Sequence, residues 1–245
     1  MKPYAESEQA SLREQFGSRR FDEKFKRWLG IDYPPIGLID EYPGKIAEII
    51  NCYSMGDWYP AVVSSCCLAE RILNRLVLQC RAHFRSHPKY KLVARQNSFN
   101  DWDRMLDVIH SWQLIPQRAL DLLEELRPVR HQTIHYNEGY DFEAIAPRVV
   151  SQLVAAVSET FGVLNRKDIY LVFDVPGEVW VRSDAEKLPF VREFVFPHCY
   201  RAHAVHEIDT AKKRIVERLG RVGPLSDEEF VELRRESQKP RTGDA

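Results

Sequence analysis

The chain has 245 residues, 44% of them hydrophobic, enough for one large core or two smaller ones. Charged residues make up 29% and the net charge is −1, which excludes a protein that coats nucleic acid through bulk positive charge but allows a local basic surface. No apolar run opens the chain and none approaches the ~18 residues of a membrane span, so neither a secretory leader nor a membrane segment is expected and a cytoplasmic location is.

In chain order, residues 7–28 mix charges with Phe16, Phe21, Phe25 and Trp28 and predict an amphipathic arm, closed by the loop sequence Asp32-Tyr-Pro-Pro-Ile-Gly. Ile46, Ile49, Ile50 and Tyr53, three and four apart, predict a helix from about Tyr42. Met55-Gly-Asp-Trp-Tyr-Pro closes it and opens the next, with Pro60 in a first turn. That next helix, about 60–85, carries the cleanest stripe: Val62, Cys66, Ala69, Leu73, Leu76, Val77 and Cys80. A shorter helix is expected over 99–112, capped by Asn100 or Asp101. Another starts at Pro116, and Pro128 should kink or restart it before a stop near Gly139. A long helix follows over 143–165.

After Arg166 the texture turns β-rich. Ile169–Phe173 and Glu178–Arg182 read as a hairpin, Phe190–Phe196 and Tyr200–Ile208 as further strands, and 209–219 and 227–237 as short helices, the second opened by a capping box at Ser226. The fold class expected is therefore α+β, an N-terminal all-α bundle followed by a small antiparallel α+β domain. Its parts are an N-terminal arm and loop (1–38), a bundle (39–166) and an accessory domain with a polar tail (167–245).

Between Trp58 and Asn100 the only carboxylate is Glu70, whereas Arg71, Arg75, Arg81, Arg85, Lys89, Lys91 and Arg95 form a basic strip. The strip suits phosphate, and equally a solvated face balancing acids elsewhere. Cys52, Cys66, Cys67, Cys80 and Cys199 form no CxxC pair and read as small buried hydrophobes in a reducing compartment.

The densest chemistry lies in Arg127-Pro-Val-Arg-His-Gln-Thr-Ile-His-Tyr136. A permanent cation, Arg130, precedes a titratable base, His135, with His131 between them. Metal-free RNA cleavage needs such a set: a base for the 2′-hydroxyl proton and a cation for charge growing on phosphate. Spacing alone is weak, because an Arg followed by His after four to six residues recurs at Arg81–His87, Arg104–His110, Arg192–His198 and Arg201–His206, against about two such pairs expected from composition. The bland alternative is that Arg130 pairs with Glu70 or Glu124 and His135 lies in a hydrogen-bonded seam. His131 and His135 also share a helical face, a zinc-pair geometry with Glu138 or Asp141 as third ligand, but Gln132 stands where a zinc protease needs Glu. His198, Cys199, His203 and His206 form a second cluster, with a spacing that fits no structural zinc motif.

Met55-Gly-Asp-Trp-Tyr-Pro-Ala leading into Leu68-Ala-Glu-Arg-Ile-Leu, then Leu123 to His135, resembles the HEPN superfamily of nucleotide-binding helical bundles over residues 40–165. Arg130, His131 and His135 match that family's motif in spacing and in place; the other four pairs match in spacing only. The resemblance implies a homodimer with a composite site, a metal-independent endoribonuclease acting on RNA, and no cofactor. His135 would be the acid or base, Arg130 would steady the phosphorane, His131 would orient the phosphate and Glu70 would orient an Arg or His. The products implied are a 2′,3′-cyclic phosphate and a 5′-hydroxyl. Toxin–antitoxin or antiviral roles are implied as well, with an antitoxin or other protein partner at the C-terminal region. The rival expectation is a non-catalytic RNA-binding or protein-interaction module of the same family.

Overall fold

In the computed structural model, residues 6–31, 41–134, 139–172, 179–182, 184–195, 206–209 and 214–217 are described. The described residues up to Thr160 belong to one compact unit and those from Phe161 onward to another.

The first unit is helical throughout. The arm is two helices, α1 (Glu6–Phe16) and α2 (Phe21–Leu29), separated by a bend in which Gly17 and Arg20 take left-handed conformations. Phe16 and Phe21 bury at that bend, and the Arg27 guanidinium donates to the Ser54 carbonyl at 2.9 Å while lying over the Trp58 ring. Helix α3 (Glu41–Met55) buries Ile46, Ile49, Ile50 and Tyr53, the stripe expected of it. It ends in a Schellman-type cap: the Gly56 amide reaches the Tyr53 carbonyl and the Asp57 amide the Cys52 carbonyl, with Gly56 at φ 92°. Helix α4 (Trp58–Cys80) starts at once and packs against α3, α5 and α6, so its all-buried stripe from Val62 to Cys80 is the centre of the unit.

Beyond Cys80 the chain tightens into 3-10 turns, Arg81–Phe84 and Pro88–Leu92, rather than continuing as α-helix to 85. Of the two candidate caps for α5 (Trp102–Ser111), Asp101 is used, its carboxylate accepting from the Arg104 amide at 3.0 Å. Helix α6 (Gln117–Ile134) runs through Pro128 instead of restarting there. The missing amide of Pro128 strands the carbonyl of Glu124, and both residues are exposed, so water can take that acceptor. Helix α7 (Phe142–Phe161) is capped by Asp141, which accepts from the Ala144 amide at 3.0 Å.

The second unit corrects the expected α+β class. Its described strands are two isolated antiparallel ribbons that do not join into one sheet. Tyr170–Val172 (β1) pairs with Val179–Val181 (β2), and His206–Asp209 (β3) with Arg214–Glu217 (β4). The strand expected over 190–196 is a helical turn of π type, Val191–Val195. Phe190 and Phe194, four apart, stack on each other at 5.4 Å and pack on Phe161 at 5.6 and 6.0 Å, a contact that a strand, which would set them about 13 Å apart, could not make. The helix expected over 209–219 is replaced in part by β4, and the helix at 227–237 lies outside the described residues. The described chain is thus predominantly helical, with no antiparallel sheet domain. Arg166 is 4% exposed, held bidentate by Asp168 over the Phe190 ring.

Candidate functional site

Helices α4 and α6 bring Glu70 against Arg130 across sixty residues of sequence. Arg130 Nε donates to Glu70 Oε2 and Nη2 to Oε1, each at 3.1 Å, and both side chains are about four-fifths buried. The expected alternative of Arg130–Glu70 pairing is thus realised, and Glu124 is not the partner. Because α6 is continuous, Arg130 sits in its regular last turns and not in an irregular first turn, which corrects the reading of Pro128 as the start of a new helix.

One turn before Glu70, Cys66 is fully buried and shares a hydrogen bond with Thr133, whose hydroxyl also donates to the Arg130 carbonyl at 3.2 Å. Burial pushes the Cys66 thiol up to about 12. Cys67 is exposed, contrary to the expectation of buried cysteines, yet partial desolvation and the nearby Glu70 still raise its thiol, against the pull of Arg130. Cys66 and Cys80 are buried as expected, Cys52 only in part. Cys199 lies outside the described residues.

His131, the next residue after Arg130, is exposed and lines a cavity of about 380 Å³ with Arg130, Arg127, Asn100, Asp101 and Trp102. Around it the charges are matched: Arg127 pairs with Asp103 and Arg104 with Asp101. His135 and Glu138 lie outside the described residues, as do His198 and His203 of the second cluster, while His206 falls in β3. Among the described residues no three His, Cys, Asp or Glu side chains converge as metal ligands.

The basic strip divides. Arg75 turns onto the Tyr42 ring, 5.6 Å from its centroid. Arg81 donates through Nη1 to the carbonyls of Val93 and Gln96, at 3.0 and 2.5 Å, so it ties the following loop to α4. Lys89 pairs with Asp107 at 2.5 Å. Arg71 is exposed at the rim of the cavity beside Glu70, and Arg85, Lys91 and Arg95 are exposed on the loop. The strip is therefore partly scaffold and partly surface.

Sequence reading missed the element that frames the site. Asn74, one turn after Glu70, donates to the Phe99 carbonyl at 2.9 Å and accepts from the Phe99 amide at 2.7 Å, as a neighbouring strand would. A half-buried polar residue beside the apolar stripe was the only available signal. Also missed was a row of edge-to-face rings, Tyr59–Phe142 at 5.1 Å and Phe142–Tyr140 at 5.2 Å. Among the described residues no helix is long and apolar enough to cross a membrane. No protein-family model, no curated protein and no solved structure matches the chain.

Proposed function

We propose that the helical unit acts on RNA and cuts it without a metal, at a site made by Arg130 and His135, in the manner of the HEPN ribonucleases that its sequence resembles. The observation that carries this is the side-on grip of Glu70 on Arg130. By occupying Nε and Nη2, it fixes the guanidinium plane and leaves the Nη1 end without a protein partner among the described residues. A planar donor held in one orientation suits a phosphate whose charge grows in the transition state. In this reading Glu70 is a positioning residue. His135 takes the 2′-hydroxyl proton, the 2′-oxygen attacks phosphorus, and the 5′-oxygen leaves with a proton, giving a 2′,3′-cyclic phosphate and a 5′-hydroxyl.

In an ideal helix a five-residue step turns about 140°, so a single chain that was helical through that step would not aim both groups at one atom. A two-fold pair of copies relieves this, and the proposed active form is a homodimer. Residues 167–245 would then select the substrate or a protein partner such as an antitoxin, in a toxin–antitoxin or antiviral setting.

The second reading, a non-catalytic RNA-binding or interaction module, is favoured by the matched ion pairs around His131, which consume much of the local positive charge. Cleavage of a labelled single-stranded RNA in EDTA separates the two. Cutting by the wild type that is lost in both Arg130→Ala and His135→Ala supports the ribonuclease. Binding without cutting supports the module, and cutting that survives both substitutions removes this site from consideration.

A further inference from the structure

Beside the Glu70–Arg130 pair lies a second, larger cavity of about 660 Å³, whose lining includes Glu70, Arg71, Asn97, Ser98 and Asn100. Asn100 also lines the cavity that holds Arg130 and His131, so the two hollows meet at that residue. The backbone carrying Asn97, Ser98 and Asn100 belongs to no helix or strand, yet it is tied down on both sides. Arg81 holds the carbonyls of Val93 and Gln96, Asn74 holds Phe99 through both its amide and carbonyl, and Asp101 caps α5. The Phe99 side chain is buried beneath it. Among the described residues the side chains of Asn97, Ser98 and Asn100 make no hydrogen bond, so this anchored segment offers two uncommitted amides and a hydroxyl to whatever fills the groove.

We propose that this groove is a nucleobase subsite, in which Asn97 and Asn100, with Ser98, read the edge of an unpaired base next to the phosphate at Arg130. The proposal rests on the RNA-directed reading above and adds sequence preference to it. A carboxamide offers a donor and an acceptor side by side, the pattern that a base edge complements. Single-stranded RNA is read chiefly through such contacts to splayed bases. The cavity is within the size range of sites that take small ligands, and Arg71 at its rim can meet the neighbouring phosphate. Preorganisation of the segment is what allows amides on irregular backbone to discriminate at all.

Fluorescence anisotropy with 5′-labelled ten-nucleotide homopolymers of U, A, C and G, on the full chain at fixed salt, tests it. The wild type is expected to prefer one homopolymer by about tenfold, the order of one bidentate base contact. Asn97→Ala/Asn100→Ala should bring all four within about twofold, with the salt dependence of binding unchanged because no cation is removed. Both substitutions are at exposed positions, and far-UV circular dichroism checks that the variant folds. Equal wild-type affinity for the four homopolymers, or a preference that survives the double substitution, overturns the subsite while leaving RNA binding in place. A wild type that binds none of them overturns the RNA-directed reading and the subsite together.

Discussion

Glu70 meets Arg130 side-on, with both oxygens of the carboxylate engaged and one end of the guanidinium left over. An end-on fork would have consumed both terminal nitrogens and left only Nε. The same ion pair therefore joins two helices and aims a cation, and these two roles separate experimentally. Glu70→Ala and Arg130→Ala should each destabilise the protein by about 2 kcal/mol, since each leaves a largely buried charge without its hydrogen-bonded partner. The double substitution should cost clearly less than the sum of the two, as read by urea unfolding in a double-mutant cycle. Glu70→Gln should lower cleavage more than stability if positioning matters.

The division of the basic strip predicts two different phenotypes. Arg81→Ala removes charge-assisted bonds to two carbonyls and should cost about 2 kcal/mol of stability. Replacing Arg85, Lys91 and Arg95 by Ala should leave the unfolding midpoint within about 0.5 kcal/mol, as for other surface changes. That triple variant should also flatten the plot of log affinity for single-stranded RNA against log salt, by about 0.7 for each phosphate deprived of its cation. An unchanged salt slope would place the RNA elsewhere.

Pro128 interrupts the hydrogen-bond ladder of α6 at an exposed position two residues before Arg130. Pro128→Ala restores a donor to the Glu124 carbonyl and should raise stability by about 1–3 kcal/mol in thermal or chemical unfolding. A loss of RNA cleavage in that stabilised variant would show that the proline helps present Arg130, a trade of stability for activity.

Burial of Cys66 makes an alkaline prediction. In the unfolded chain the thiol ionises near 9, whereas in the native state it is pushed up to about 12. Between those values the unfolded state releases a proton that the native state keeps, so stability falls as pH rises, by up to about 1.4 kcal/mol per pH unit. Cys66→Val should remove this component from the alkaline limb, as measured by urea titrations from pH 8 to 11. In native protein, iodoacetamide should reach the exposed Cys67 first and spare Cys66 and Cys80.

How much of this was legible depended on whether a signal was local. The stripes of α3 and α4 could be read from spacing because Ile46, Ile49, Ile50 and the Val62–Cys80 series report a face that must be covered, whatever covers it. Asp101 and Gly56 act through neighbours in sequence, and their roles were visible too. The Glu70–Arg130 pair was visible only as one of two options, since nothing in the chain says which helix lies opposite α6. The fold class was not legible in the second unit because its β-prone residues are spaced for a helix. Phe190, Val191, Phe194 and Val195 repeat at a helical interval and are all buried, the two phenylalanines against Phe161.

The Gly56–Asp57 turn has a kinetic consequence. It joins two long helices through two residues, so α3 and α4 can find each other at a loop-closure entropy near the minimum a chain allows. The Glu70–Arg130 pair must close sixty residues. Folding should therefore begin with the α3–α4 hairpin, giving high φ-values at Ile50 and Val62 and low ones at Arg130. On a ribosome that hairpin would form while α6 is still being made. A chain stalled before α6 would display the hairpin without Arg130, so any activity that needs this arginine would arise only late in synthesis.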